Sequence, residues 1–291
     1  MSAASLRSDA DIASRLLQSI RVSGGLSLAF ESRDGVTRVA CVSEADGYRA
    51  RFPDCRPHCE AILLNTGGGV AGGDKVGVSC DLGPRADVVI TTVSAERIYR
   101  ASGAASEVDI TVSLADSARL AWLPQETILY SQSRLTRRVT IELAANAELT
   151  FLDILVLGRR GSGERMGAGH VADCWTVRRG GRLIHLEALR LDGVIEDQLA
   201  RAAVTDGANV VATLLHVSPR AEERLERVRA AIAGSTASLQ DSSAVPDSAA
   251  SAWGGKLVVR AVGHKLDAVR AVLAAACQHL TGVAMPRSWG L

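Results

Sequence analysis

The chain has 291 residues, 47% of them hydrophobic and 22% charged, enough apolar material for a sizeable core and too much for an intrinsically disordered chain. Thirty-three basic residues against thirty-two acidic leave a formal charge of +1, and aromatics make up only 3%. That balance argues against a nucleic-acid partner held by phosphate neutralisation or base stacking. Nowhere do about 18 apolar residues run together as a membrane helix would need, and the six cysteines follow no disulfide spacing. The N-terminal MSAASLRSDADIASRLLQSI carries Asp9 and Asp11 and lacks the unbroken apolar stretch of a secretory signal. The expectation is a cytoplasmic protein with neither a membrane nor a nucleic-acid partner.

In chain order, residues 1–23 read as an N-terminal arm, either frayed or one helix through Ile12, Leu16 and Ile20. Residues 24–291 read as a single β-rich domain. LSLAF (26–30) and VTRVACV (36–42) flank Asp34-Gly35, a hairpin signal. EAILLN (60–65), KVGVSCDL (75–82), DVVITTV (87–93), EVDITVSL (107–114), ARLAWL (118–123), RRVTIEL (137–143) and ELTFLDILVL (148–157) follow as strands. CWTVRR and RLIHLEALRL flank a second turn, Gly180-Gly181. So many strands without interleaved helices exclude a doubly wound α/β fold and predict a large antiparallel or coiled β structure. No exact internal repeat is visible. Near the C-terminus a helix at 220–233 places Leu225, Val228 and Ile232 on one face, with a Glu223–Arg227 pair. The small polar stretch 234–255 reads as a loop, LVVRAV (257–262) as a strand, and 265–281 as a second helix ended by Gly282.

The segment NTGGGVAGGD (65–74) holds five glycines in ten residues and could present backbone amides to an anion. An enzyme holding a phosphorylated ligand on this loop is the alternative function. Gly72 and Gly73 are followed by Asp74 rather than Lys-Ser or Lys-Thr, and a strand pattern follows instead of a helix, so neither a P-loop nor a dinucleotide fingerprint is present. CRPHC (55–59) groups Cys55, His58 and Cys59, a weak metal signal without a fourth ligand nearby. Glu126 in WLPQETI is either a carboxylate aimed into the core or part of a polar turn; GRRGSGE (158–164) is either an arginine clamp or a solvated loop. No G-x-S-x-G elbow and no H-E-x-x-H occurs.

Taken together, NTGGGVAGGD, TTVSAERIYR (91–100), LAWLPQETI (120–128), GRRGSGE and MPRSW (285–289) resemble the ordered motif series of the UreD family of urease accessory proteins. The resemblance spans about residues 24 to 289. It implies a mainly β, β-helix-like body of stacked strands with a small C-terminal element of two helices. It also implies a non-catalytic chaperone or scaffold that, with UreF and the GTPase UreG, binds the urease apoprotein and enables GTP-dependent nickel insertion. The resemblance further implies no tightly held cofactor, with nickel only in transit. The family motifs fall on Gly68, Gly69, Gly72, Gly73 and Asp74; on Thr91, Thr92, Tyr99 and Arg100; on Trp122, Pro124, Gln125 and Glu126; on Gly158, Arg159, Gly163 and Glu164; and on Pro286, Arg287 and Trp289. Three departures from the family pattern are visible. Gly47-Tyr48-Arg49 replaces a Gly-Pro-Leu-Arg stretch, Cys59-Glu60 replaces a Cys-His pair, and Glu187 stands where an aspartate is usual. Asp74, Glu126, Glu164 and Glu187 are the carboxylates expected to serve a nickel route or an interaction surface, with turn capping as the competing role.

Overall fold

The computed structural model describes residues 22–53, 58–239 and 241–290. The predicted helix in the N-terminal arm and Cys55 lie outside the described residues. The strands are β1 (Ser23–Arg33), β2 (Val36–Ala45), β3 (Tyr48–Arg51), β4 (Cys59–Asn65), β5 (Lys75–Leu82), β6 (Asp87–Thr92), β7 (Glu96–Ile98), β8 (Ser106–Leu114) and β9 (Arg119–Trp122). They continue as β10 (Thr127–Leu129), β11 (Arg134–Leu143), β12 (Glu148–Leu157), β13 (Ala168–Arg179), β14 (Arg182–Val194), β15 (Val210–Val217), β16 (Asp247–Trp253) and β17 (Lys256–Gly263). One sheet has seven strands in the order β14-β13-β11-β8-β5-β1-β2; the other has ten, along β16-β17-β15-β12-β9-β6-β4-β3, with β10 pairing with β12 and β7 pairing with β10.

The chain alternates between the sheets, and each pass lies parallel to the last: β5, β8, β11 and β13 in the first, β4, β6, β9 and β12 in the second. This is a β-helix-like coil. Antiparallel pairing, one of the two expected arrangements, is confined to the flanks, at β2, β3, β14, β15, β16 and β17. Lys75, Glu107, Thr136 and Ala172 stand at one level of successive turns of the coil. They share no residue type, which is why no repeat shows in the sequence: the repeat is one of backbone path.

Alternation sets what faces inward. Val76, Val78, Cys80 and Leu82 of β5 point between the sheets, as do Leu135, Val139, Ile141 and Leu143 of β11. Trp122 stacks on Phe151 with centroids 5.6 Å apart, and Trp175 meets Phe151 edge-on at 5.0 Å. β12 is buried on both faces: Leu149, Phe151, Leu155 and Leu157 inside the coil, Leu152, Ile154 and Val156 against a second cluster under the helices. That double burial explains its unbroken apolar run. Helices Leu225–Ala237 and Leu266–Thr281 cover this outer face with Val228, Ile232, Val269, Leu273, Ala276 and Leu280.

Two local expectations need correcting. The stretch 234–255 is not a loop throughout: a helix runs to Ala237, and Asp247–Trp253 pairs with β17. Alanine and serine carry little strand signal, so tertiary pairing decides there. Glu223 pairs with Arg220 at 2.8 Å rather than with Arg227, because it lies in a 3-10 turn ahead of the helix. The polar turn at WLPQETI leads straight into the short strand β10. No helix among the described residues is long and apolar enough to cross a membrane.

Candidate functional site

The motif residues gather in two clusters on the coil, with an interior cavity as a third feature. In the first cluster the C-terminal segment is clamped onto the WLPQE corner by Arg270, a residue the sequence did not single out. Its guanidinium donates to Glu126 Oε2 at 2.7 Å, to Gln125 Oε1, and to the Trp289 carbonyl at 3.0 Å, and it stacks 4.5 Å over the Trp289 ring. Gln125 Nε2 donates to the Ser288 carbonyl at 2.7 Å, and Trp289 Nε1 to the Leu123 carbonyl at 3.0 Å. The Thr91 and Ser288 hydroxyls lie 3.2 Å apart, and Thr92 Oγ1 accepts the Gln125 amide. Pro286 is buried beneath this contact, and Arg287 is exposed.

The second cluster links the glycine loop to the Gly-Arg motif. Tyr99 donates to the Gly68 carbonyl at 2.8 Å and packs edge-on against Tyr130 at 5.1 Å. Arg159 lies 4.0 Å over the Tyr130 ring and donates to Glu164 Oε2 at 2.5 Å. Glu164 Oε1 accepts the Ser131 amide at 2.9 Å. Gly69 has φ +155, and a Cβ there would fall 2.5 Å from the Tyr99 ring; glycine is required for this approach. Gly158 and Gly163 take positive φ at the ends of the intervening turn, and Arg100 is exposed beside it.

The loop does not form an anion cradle. Its amides at Gly67, Gly68, Val70, Ala71, Gly73 and Asp74 already donate to Asn65 Oδ1, Asn65 O, Arg97 O, Asp74 Oδ2, Ala105 O and Ala71 O. Asp74 is 5% exposed and accepts the amides of Val22 at 3.0 Å and Ala71 at 2.7 Å, so it pins the loop to the first strand. Glu187 bonds both nitrogens of Arg260 at 2.7 and 2.6 Å, joining β14 to β17. Burial alone would raise its pKa, but the Arg260 bonds and the nearby His185 ring, 3.5 Å away, override this and hold it at about 2. All four candidate carboxylates therefore have chain partners, and none lines the interior cavity. Cys59 packs in the core and His58 lies at a separate cleft; no three His, Cys, Asp or Glu side chains among the described residues are placed to hold a metal ion.

A few polar groups also lie in the interior. β6 ends at Thr92 and β9 at Trp122, and the chain turns a corner before β7 and β10 resume the ladders. β12 runs through this level unbroken, so a cavity of about 110 Å³ opens at the corner, lined by Glu96, Thr92, Gln125, Trp122, Arg137 and Asp153. At its rim Asn65 Nδ2 donates to both Glu96 oxygens, at 3.1 and 3.2 Å, and to the Tyr48 hydroxyl at 3.0 Å. Desolvation pushes Glu96 above the usual carboxylate range. At its base Arg137 donates to Asp153 at 2.8 and 2.5 Å and to Asp173 at 2.9 and 2.6 Å. Trp175 Nε1 also donates to Asp173. Burial opposes the Arg137 charge, yet attraction to the two aspartates carries its pKa well above normal; burial raises Asp153. Two carboxylates share one guanidinium inside an otherwise apolar coil.

A model of the UreD urease accessory protein family matches residues 22–290. The chain belongs to that family. It is 44% identical over 255 residues to urease accessory protein UreD 1 of Methylobacterium radiotolerans, covering 88% of this chain and 86% of that protein. The UreD protein of Xanthobacter autotrophicus is 38% identical over 294 residues, covering 99% and 98%. UreD 1 of a Bradyrhizobium species is 36% identical over 286 residues, covering 98% and 99%. Membership in UreD carries a role in urease maturation. The motif series therefore marks the family, while Arg270 and the Arg137 cluster lie outside the motifs and Glu96 lies within TTVSAERIYR without being singled out. The one signal was a charge at an inward position of each apolar strand: Arg137 in RLTRRVTIEL, Asp153 in ELTFLDILVL and Asp173 in β13.

Proposed function

We propose that this chain is a non-catalytic cytoplasmic scaffold that, with UreF and the GTPase UreG, engages the urease apoprotein and supports GTP-dependent nickel insertion. UreD membership over residues 22–290 is the observation that carries the reading. Nickel is the cargo, held weakly and released, with no resident cofactor. The interior cavity supports the route: Glu96 at its rim and the Arg137-bonded Asp153 at its base place carboxylate oxygens along it without a closed ligand cage. Asp74, Glu126, Glu164 and Glu187 fit the supporting role, holding loop, C-terminal segment and sheet edge in place. The phosphorylated-ligand enzyme finds no support, since most amides of the glycine loop are already bonded within the chain. Expressing the urease gene cluster with and without this gene tests the proposal: urease purified without it should carry little nickel, and full nickel loading in its absence would refute the role.

A further inference from the structure

At the opposite end of the ten-stranded sheet, β6, β9 and β12 begin at one level with Asp87, Arg119 and Glu148. A cleft of about 220 Å³ opens there, beneath the end of helix Leu266–Thr281, and its walls include His58, Arg119, Glu148, Thr150, His216 and Arg224. His216 is only 2% exposed. Its Nδ1 lies 2.9 Å from the Thr150 hydroxyl, while its Nε2 is buried and has no hydrogen-bond partner on the protein. A buried ring nitrogen of this kind ordinarily has a hydrogen-bond partner, and no protein group supplies one here. In the tautomer in which Thr150 donates to Nδ1, the ring proton is on Nε2 and the histidine offers a donor.

We propose that this cleft binds a small oxyanion, a carboxylate or a phosphate, on His216 and Arg224. The negative groups nearby are already balanced. Asp87 is paired with Arg119 at 2.8 Å, and Glu148 lies in the fields of Arg179 and Arg220. Arg224 spends one nitrogen on the His279 and Leu280 carbonyls, and its charge reaches His216. Burial first, and Arg224 second, push His216 down to about 3, so at neutral pH it is an uncharged donor beside a cation. A metal ion is the poorer occupant, because no three ligating side chains converge among the described residues. One water occupies about 30 Å³ of liquid and does not fill the space. A neighbouring cleft shares His58 and is lined by both Glu60 and Arg287.

This site is independent of the nickel route and is tested on the full chain. Titration calorimetry with inorganic phosphate and, separately, acetate should show saturable one-site binding for at least one anion. The His216 imidazole nitrogen signals, followed by NMR of histidine-labelled protein, should move along the same curve. His216→Leu should weaken binding at least tenfold. Absence of saturable binding to both anions, His216 signals that move no more than with sodium chloride, or unchanged affinity in His216→Leu would each overturn the proposal. If that variant does not fold, the wild-type His216 signals decide.

Discussion

Arg137 and Arg138 are neighbours on β11, each bonded to carboxylates on other strands, and alternation sends them to opposite sides of the sheet. Arg137 is 8% exposed between Asp153 and Asp173 inside the coil. Arg138 is 54% exposed on the outer face, bonded to Asp109 at 2.7 and 3.0 Å with Glu107 nearby. The same chemistry therefore means different things. Outside, water screens the pair and its loss is small; inside, each charge depends on its partners because no solvent replaces them. A coil meant only to be stable would be served as well by apolar side chains at those three inward positions, so the buried cluster points to use rather than strength.

The largest effect expected is from Arg137→Met, which leaves Asp153 and Asp173 facing each other without a cation. A loss of about 3–5 kcal/mol is expected in urea denaturation, and a loss below about 1 kcal/mol would show that the carboxylates relax into protonation or solvent. Arg270→Ala should cost about 2 kcal/mol, since it strands Glu126 and Gln125 and frees the Trp289 carbonyl. Limited proteolysis should then cut the 282–290 segment faster; an unchanged cleavage rate would contradict the clamp. Acid should separate the Glu187–Arg260 link from the rest. Glu187 falls from its ordinary 4.5 to about 2, so its contribution is full above 4.5 and disappears as pH falls through 2. Across that window Glu187→Gln should lose less stability than the wild type, which parallel pH–urea series would detect. Arg138→Ala is the smallest, below about 1 kcal/mol, and a larger loss would erase the contrast between the two sides.

Much of the coil was legible because the strands alternate cleanly. KVGVSCDL and ELTFLDILVL were bounded correctly, and both turn pairs, Asp34-Gly35 and Gly180-Gly181, adopt the positive φ their residues favour. What stayed hidden was pairing direction, because parallel and antiparallel strands carry similar patterns, and the Ala-Ser strand β16. The motifs exposed the corners that carry them. They did not reveal Arg270, which stands in an alanine-rich helix far along the chain, or the convergence of Glu96 and Asp153 on one cavity, which only the folding of the coil brings about.

The interior route is tested most directly by measuring the nickel content of urease purified from cells carrying the full gene cluster with Glu96→Gln in this chain. Glu96 lies at the cavity rim, so the variant should still fold and join its partners while the urease it serves contains several-fold less nickel. Wild-type nickel loading with the variant present at normal levels would contradict passage through the coil.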